Sequence, residues 1–385
     1  MQGFKKTGQK LLLLVCSISL IFITLEIGMR VWICHFANER HVLKYASVKQ
    51  LEKKHKDIKP RWSVHRYLGH YPTPDFEKGK NKHNSLGYRG DEIVLPKPEG
   101  QFRIVCLGGS TTYTTELEDF KMSYPNLLEK ELRERGFKNI NVVNAGVGAY
   151  TSWESLINFE LRVLDLDPDM IIIYHGVNDI LARFVWPPDA YKGDNSGAAS
   201  APSMSMPSIL EYSTLMRYLM IRLGIIQPHS TLERSLKKVP KTNYAIEFFN
   251  QKERNKYPAG IFRQVSAQKI LMTNEPEYFR RNIENIVVIA QFREIETVIA
   301  TFAYCPNFND SSIVSCKEYI LEYDEMNQVL KSVTEKMHVN IFDFAELFPK
   351  DEIYFTDGIH VNAEGVKLKA KMFADYLISK ELLPK

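Results

Sequence analysis

Three polar residues of this chain carry the side chains that hydrolytic enzymes use for nucleophilic catalysis. Ser110 follows an apolar run that begins at Arg103 and ends in two glycines. Far downstream, the segment Asp357-Gly-Ile-His360 brings a carboxylate and an imidazole within one turn of each other, so that one can orient the other. A serine hydroxyl becomes a useful nucleophile when a neutral imidazole accepts its proton. The three residues therefore predict a Ser–His–Asp triad with Ser110 as the nucleophile.

Such a triad needs a scaffold that brings distant segments together, and the chain alternates strand and helix patterns. Five short apolar runs rich in β-branched residues predict core strands at Arg103–Leu107, Asn139–Asn144, Met170–Tyr174, Thr297–Ala303 and Asn340–Phe344. Four amphipathic segments predict helices at Tyr124–Arg135, Trp153–Val163, Glu277–Arg293 and Ala363–Lys380. Repeated βα units of this kind predict an α/β fold, a three-layer α/β/α sandwich around a central parallel sheet.

The residues with chemical potential all follow predicted strands. In an open parallel sheet, binding and catalytic sites form at the carboxyl ends of the strands. We therefore expect four separated segments to meet at one edge of the sheet. In chain order they are Ser110, Gly146 with Gly148, the segment Gly176-Val-Asn-Asp179, and Asp357 with His360.

The N-terminus differs in kind from this core. Residues 1–10 form a short basic tail, and residues 11–36 are predicted to be a single transmembrane helix, an uncleaved signal anchor. A cleaved signal peptide fits less well, because no small-x-small site follows the apolar run. Glu26 and Arg30 stand four residues apart with the acid first, so they can pair near the interface, where Trp32 would be an anchor. Lysines flank both sides of the segment, so the charge count alone leaves the orientation open.

The remaining chain divides into a basic stalk at residues 37–66 and a catalytic domain at residues 67–385. The stalk is either a solvated spacer or a contact for anionic lipid headgroups. An insertion at about residues 187–267 interrupts the alternating pattern, with a loop-like stretch from Gly193 to Pro207 and helix-compatible stretches at Leu215–Ile226 and Phe248–Ile261. It could cap the site or act as a spacer.

Composition narrows the function classes. A chain of 385 residues with 44% hydrophobic and 25% charged residues is ordinary globular material. A formal net charge of +4 is small for this length and argues against nucleic-acid binding, which requires a clustered basic face. Cys305 and Cys316 flank a polar loop, and a disulfide or two free thiols are both compatible with the sequence.

Taken together, Gly108-Gly-Ser110, Asn144-Ala-Gly-Val-Gly148, Gly176-Val-Asn-Asp179 and Asp357-Gly-Ile-His360 resemble the four blocks of the SGNH hydrolases, also called GDSL esterases and lipases. The resemblance implies a flavodoxin-like sheet. It assigns Ser110 as nucleophile, His360 as base and Asp357 as orienting acid. The oxyanion hole would take the N–H groups of Ser110 and Gly148, with Gly146 as the weaker alternative, and the Asn178 amide. Gly109 departs from the family pattern, which has aspartate there.

The resemblance implies a membrane-anchored serine ester hydrolase that removes acyl groups from an O-acylated glycan or lipid of the bacterial cell envelope, with its catalytic domain outside the cytoplasm. Two alternatives stay open: an O-acyltransferase that uses the same acyl-enzyme, and a non-catalytic glycan-binding or assembly protein. No cofactor is expected. A metal site built from His175, Asp179 and His360 is disfavoured, because no ligands stand at close spacing in the sequence.

Overall fold

The computed structural model of this chain describes residues 2–47, 50, 60–65, 67–193, 212–226, 242–308 and 316–384. The chain forms two compact units, one of residues 1–59 with 200–239 and one of residues 60–199 with 240–385. Two predicted segments lie partly or mostly outside the described residues: the stalk between residues 50 and 60, and the loop that follows Gly193.

The strands supply the frame for the site. They are β1 Trp62–His65, β2 Gly69–Pro72, β3 Glu77–Lys78, β4 Asn81–Lys82, β5 Phe102–Gly108, β6 Ile140–Gly146, β7 Met170–Tyr174, β8 Glu296–Ala300 and β9 Asn340–Phe342. The last five form one parallel sheet in the order β6-β5-β7-β8-β9, which confirms the predicted parallel α/β fold and is the flavodoxin-like order. The four N-terminal strands form two small antiparallel hairpins.

The helices of the described residues are α1 Gln2–Val31, α2 Glu39–Tyr45, α3 Ser110–Tyr113, α4 Tyr124–Glu134, α5 Ser152–Asn158, α6 Val177–Ala182, α7 Thr214–Arg222, α8 Ala245–Glu253, α9 Ala267–Thr273, α10 Glu277–Phe292, α11 Lys317–Met337, α12 Phe344–Leu347 and α13 Ala363–Ser379. The four core helices expected from the sequence are all present, with ends that shift by a few residues. Both helix-compatible stretches of the insertion also contain helices, α7 and α8.

The sheet is the core of the second unit. All five residues of β7 are buried, as are Ile104 to Leu107 of β5, because helices cover both faces of these central strands. This burial explains why the central strands read as unbroken apolar runs rather than as alternating patterns. The polar residues that follow β5, β6 and β7 therefore emerge together at the carboxyl edge of the sheet.

The first unit contains α1, a short π-helical turn at Trp32–Phe36, α2 and α7. The segment Thr7–Phe36 is long and apolar enough to cross a membrane, and none of its most apolar window is buried. A signal sequence has the same length and composition. The described residues therefore include one N-terminal apolar helix of membrane-spanning length.

Candidate active site

Ser110 lies at the start of α3, directly after β5 and a two-glycine turn. Neither glycine has room for a side chain. A Cβ on Gly108 would stand 2.6 Å from the Tyr174 carbonyl oxygen, and one on Gly109 would stand 2.7 Å from Asn178 Nδ2 and 3.2 Å from the Tyr150 carbonyl oxygen. The turn therefore accepts glycine at position 109 without movement, whereas a larger residue would displace the Asn178 amide.

Ser110, His360 and Asp357 form a continuous chain of hydrogen bonds. Ser110 Oγ lies 2.7 Å from His360 Nε2, and His360 Nδ1 lies 2.7 Å from Asp357 Oδ2. Serine and histidine are 250 residues apart in sequence. Because the Asp357 carboxylate accepts a hydrogen bond from His360 Nδ1, that nitrogen carries the ring proton. The other nitrogen of the neutral ring, Nε2, is then free to accept the Ser110 proton.

The loop that carries the acid and the histidine is held by its own backbone. Asp357 Oδ1 accepts hydrogen bonds from the N–H groups of Ile359, at 3.0 Å, and His360, at 2.7 Å. Burial alone would raise the pKa of Asp357, but the hydrogen bonds from the His360 ring and from these two N–H groups outweigh it and lower the pKa below its usual value. Asp357 is therefore an anion at neutral pH, as an orienting carboxylate must be.

Two residues after His360, Asn362 fixes the exit from this loop. Its side-chain oxygen accepts from the N–H groups of Glu364 and Gly365 at the start of α13, and its amide donates to the Ile353 carbonyl at 2.7 Å. An asparagine at this position is a favoured helix cap. The loop is thus tied at both ends, which limits the freedom of the His360 ring.

Gly146 is the last residue of β6 and Gly148 follows it, and the two glycines have different surroundings. The Gly146 N–H donates to Asn144 Oδ1 at 3.1 Å, and a Cβ on Gly146 would clash with the backbone nitrogen of Tyr113. Gly146 therefore serves close packing against α3. The N–H groups of Gly148 and Ser110, by contrast, have no hydrogen-bond acceptor among the residues that the structure describes. They remain available to a ligand.

Asn178 emerges from the N-terminal turn of α6, beside the same loop. Its Nδ2 donates to the Tyr150 carbonyl at 2.8 Å and lies against Gly109, next to Ser110. Because a side-chain amide carries two hydrogens on nitrogen, the bond to Tyr150 orients the group and leaves one hydrogen for a second acceptor. This position suits an oxyanion donor.

The 148–150 loop is supported by residues that sequence reasoning missed. His70 Nε2 lies 2.9 Å from the Gly148 carbonyl oxygen, and Tyr150 Oη donates to the His70 carbonyl at 2.6 Å. The Trp62 indole approaches within 3.5 Å of where a Gly148 Cβ would stand. Ala149 adopts a left-handed φ of 66°, which is unusual for a residue with a side chain. The sequence feature that could have indicated this support is the concentration of aromatic and histidine residues ahead of the first core strand.

A second carboxylate, Glu116, also stands near the histidine. Its Oε1 lies 3.9 Å from His360 Nδ1. In the described part of the chain, Glu116, Asp357 and His360 are the three residues whose possible metal-ligand atoms lie within 4.8 Å of one another. Asp357 and His360 already belong to the hydrogen-bond chain that ends at Ser110. The grouping therefore places one further carboxylate, that of Glu116, beside the histidine.

The other histidine and acid of the sequence analysis, His175 and Asp179, lie in a separate buried cluster. His175 Nε2 lies 2.7 Å from Ser155 Oγ, and Asp179 accepts hydrogen bonds from the Ser152 N–H at 3.0 Å and hydroxyl at 2.6 Å. Asp179 thus ties the start of α5 to α6. His360 belongs to the Ser110 chain and does not join these two residues.

The two loop-flanking cysteines are free thiols. Cys305 and Cys316 are both buried, and the loop between them is described only up to residue 308. Cys305 Sγ donates to the Lys350 carbonyl, whereas Cys316 Sγ donates to Glu318. Of the two possibilities that the sequence left open, the structure therefore has the unpaired one.

Comparison with known proteins supports the resemblance. Residues 106–245 match the model of the GDSL-like lipase/acylhydrolase family, a range that includes Ser110, Gly148 and Asn178. No curated protein matches the chain significantly.

Similar solved structures include the lipase/acylhydrolase from Enterococcus faecalis, at 14% identity over 73% of this chain and 97% of that one, with a TM-score of 0.42. The acetyl xylan esterase AlAXEase is 12% identical over 72% and 100% of the two chains, with a TM-score of 0.42. A GDSL-like lipase from Parabacteroides merdae is 13% identical over 74% and 98%, also with a TM-score of 0.42.

Proposed function

From the premise that this chain belongs to the GDSL-like lipase/acylhydrolase family, we propose that it is a membrane-anchored serine ester hydrolase that uses Ser110, His360 and Asp357. The observation that carries the proposal is the unbroken hydrogen-bond chain from Ser110 Oγ through the His360 ring to Asp357, with both steps at 2.7 Å. In this arrangement a hydroxyl, a base and an orienting carboxylate stand in the order that acyl transfer requires.

The reaction begins with the attack of Ser110 Oγ on the ester carbonyl carbon. His360 Nε2 takes the hydroxyl proton as the new bond forms, and Asp357 holds the ring in the required tautomer and stabilises the imidazolium. His360 then gives the proton to the departing alcohol oxygen. The products of this half are a free alcohol and an acyl group on Ser110.

Charge develops on the carbonyl oxygen during the attack. The N–H groups of Ser110 and Gly148 and the free hydrogen of Asn178 Nδ2 would receive it, and each such donor is typically worth about 10²–10³ in rate. Water, with its proton taken by His360, then attacks the acyl group and regenerates Ser110 by the same steps in reverse.

The substrate class that we propose rests on the proposed location of the catalytic unit at a membrane. An anchor at residues 11–36 would keep the catalytic unit at a membrane, since the apolar helix matches the thickness of a bilayer. We propose that the substrate is an O-acylated glycan or lipid of the cell envelope and that the catalytic unit lies outside the cytoplasm.

The test is hydrolysis of p-nitrophenyl acetate by the full chain in detergent, compared with Ser110→Ala. We expect the variant to lose at least about 10³-fold in kcat/KM, because the acyl-enzyme cannot form. A fluorophosphonate probe should label the wild-type chain and spare Ser110→Ala. Ser379→Ala, an exposed serine at the end of α13, is the matched control and should keep both activity and labelling.

Equal rates in folded wild type and Ser110→Ala would contradict the proposal. Substrate class is tested next, by measuring acid released from O-acetylated glycans and from acylated lipids. If Ser110-dependent turnover of the activated ester is present but neither natural class is cleaved, the hydrolase assignment stands and the envelope-substrate assignment fails.

A further inference from the structure

Helix α7, the part of the insertion that belongs to the first unit, is apolar on two opposite faces. Leu215 and Ile221 are buried, and Ile221 and Tyr218 pack with Ile33 and Tyr45. This inward face accounts for only half of the apolar residues of the helix. It forms a small core with the turn after α1 and with α2.

The opposite face carries Met216, Leu219, Met220 and Leu223. Their spacing of three and four residues places them on one side of a helix, about 180° from the inward face. Leu219 is 41% exposed and Leu223 is 70% exposed, and the two methionines are half-buried. The outward face of α7 is therefore an exposed apolar face that does not lie in the core of its unit, and such a face marks a site of contact with another apolar surface or with a membrane.

The N-terminus of α7 is attached to α1 at the two charges of the apolar segment. Glu26 accepts hydrogen bonds from the Thr214 N–H at 2.9 Å, the Leu215 N–H at 2.8 Å and the Ser213 hydroxyl at 2.9 Å. Arg30 pairs with Glu26 at 2.6 Å and donates to the Tyr212 carbonyl at 2.5 Å. Glu26 thereby supplies acceptors for the first N–H groups of α7, which have none within the helix, and Arg30 binds the carbonyl of Tyr212 just before it.

This attachment sets the level of α7 along α1. The residues of α1 on either side of Glu26 are exposed and apolar, including Leu25, Ile27 and Val31. Because α7 begins beside Glu26, its exposed apolar residues start at a level of α1 where α1 is itself exposed and apolar.

The inward face of α7 packs against residues that are typical of a membrane–water boundary. Trp32, His41, Tyr45 and Tyr218 form an aromatic cluster, with ring centroids 4.7 to 6.4 Å apart in successive pairs. Tryptophan and tyrosine concentrate at that boundary, where one end of the ring is apolar and the other meets water. The exposed cations Arg40, Lys44 and Arg222 lie in the same segments and suit lipid phosphates.

We infer that α7 is a membrane-interfacial helix that docks on α1 and buries Met216, Leu219, Met220 and Leu223 among lipid acyl chains. The inference rests on the proposed membrane position of α1 and goes beyond it. The insertion between the third and fourth strands of the sheet then contributes a second membrane contact, in addition to the anchor.

The test is to measure whether lipid or water surrounds single nitroxide labels on the full chain, reconstituted in vesicles of phosphatidylcholine and phosphatidylglycerol. The exposed native cysteines are first removed as Cys16→Ser and Cys34→Ser, while the three buried cysteines stay. Labels are then placed at Leu219→Cys and Leu223→Cys, with Leu20→Cys as the positive reference on α1. Ile353→Cys is the matched control, because Ile353 is equally apolar and exposed but lies in the catalytic unit.

We expect oxygen, which concentrates in lipid, to relax the labels at 219 and 223 several-fold more than a water-soluble nickel complex does, as at position 20, and the reverse at 353. Retained ester hydrolysis shows that each labelled chain is folded. Lipid exposure at 20 with water exposure at 219 and 223 overturns the inference but keeps the anchor. Water exposure at all positions overturns both. Spin–spin broadening at 219 or 223 means that a second copy covers the face, which also overturns the inference.

Discussion

Two clusters of serine, histidine and aspartate in the described part of the chain differ in burial: the Ser110 cluster is half-buried at the edge of the sheet, whereas the Ser155 cluster is buried. In the first, Ser110 Oγ lies 2.7 Å from His360 Nε2; in the second, Ser155 Oγ lies 2.7 Å from His175 Nε2. The serine–histidine contacts are therefore equal in length. The two clusters differ in the contact between the histidine and the acid and in their access to solvent.

The acid contacts differ first. His360 Nδ1 and Asp357 Oδ2 are 2.7 Å apart, a hydrogen bond, whereas His175 Nδ1 and Asp179 Oδ2 are 3.9 Å apart, which is too far for one. The Asp179 carboxylate instead accepts from the backbone and hydroxyl of Ser152. The second acid orients a helix terminus and not an imidazole.

Burial then sets the charge states. His175 is fully buried, and burial lowers its pKa to about 3; burial also raises the pKa of Asp179 to about 7 in spite of the hydrogen bonds from Ser152. A histidine of that pKa is a poor proton acceptor at neutral pH. Asp357, which is partly exposed and receives the His360 bond, has a lowered pKa and is ionised. The same three residue types thus form a continuous hydrogen-bond chain with an ionised acid at the sheet edge and a structural tie inside the domain.

The largest difference should appear when each histidine is replaced. We expect His360→Ala to lower kcat/KM by about 10⁴-fold or more, because the base is lost, with little change in the free energy of unfolding. His175→Ala should do the opposite: it should cost about 2–3 kcal/mol of stability, since it leaves a cavity and an unpaired Ser155 hydroxyl, while kcat/KM per folded molecule is kept. Ester hydrolysis and urea titration of both variants measure the two effects.

If His175→Ala abolished turnover in a chain that stays folded, the buried cluster would belong to the catalytic machinery. The proposed difference between a catalytic and a structural cluster would then be wrong. His175→Gln provides a less disruptive version, because its amide can still bond Ser155. It should recover part of the lost stability.

The next effect concerns the acid at the open site. Asp357→Ala should lower kcat/KM by about 10³–10⁴-fold. Glu116, whose Oε1 is 3.9 Å from His360 Nδ1, can partly take its place, so Glu116→Ala should cost about 10-fold in the Asp357→Ala background and less than about 3-fold alone. Steady-state kinetics of the four chains gives the coupling. Equal effects of Glu116→Ala in both backgrounds would show that Glu116 does not substitute.

A smaller effect, on stability rather than rate, should distinguish Asp179 by its pH dependence. Its folded pKa of about 7 lies above the ordinary value of 3.8, so its contribution to stability is full below pH 3.8 and is lost as the pH rises through 7. Asparagine does not titrate. The unfolding free energy of Asp179→Asn should therefore gain on that of wild type by roughly 3 kcal/mol between about pH 4 and 8. A constant difference across this range would mean that Asp179 is ionised throughout.

The contrast also explains what the sequence could predict. The five strands and the meeting of Ser110, Asn178 and His360 followed from apolar runs and from the rule that strand ends gather at one edge, whereas the order of the strands was implied by the family resemblance. Patterning of this kind is local or topological, so one chain suffices to read it. Burial of individual polar residues is not, so the sequence singled out His360 by its spacing from Asp357 but did not show that His175 is buried.

The insertion shows a second kind of feature that could not be predicted from the sequence. Helix α7 was predictable from its spacing, but its attachment to Glu26, 188 residues away from Thr214, was not, because no local pattern links a carboxylate to a distant helix terminus. The contacts of His70 and Trp62 with the Gly148 loop were not predicted, for a related reason. Both residues act on the Gly148 loop through tertiary contacts, 78 residues apart in the case of His70.

The smallest effect should come from the serine of the buried cluster. Ser155→Ala removes the hydroxyl 2.7 Å from His175 Nε2 and leaves that ring nitrogen without its partner in a fully buried position. We expect a loss of about 1–2 kcal/mol in the free energy of unfolding, the cost of one unpaired buried polar group, with kcat/KM unchanged. Denaturant titration alongside ester hydrolysis measures both. A Ser155→Ala chain that is as stable as wild type would mean that the serine–histidine contact adds nothing to folding, whereas one that is inactive but folded would give the buried cluster a part in the reaction.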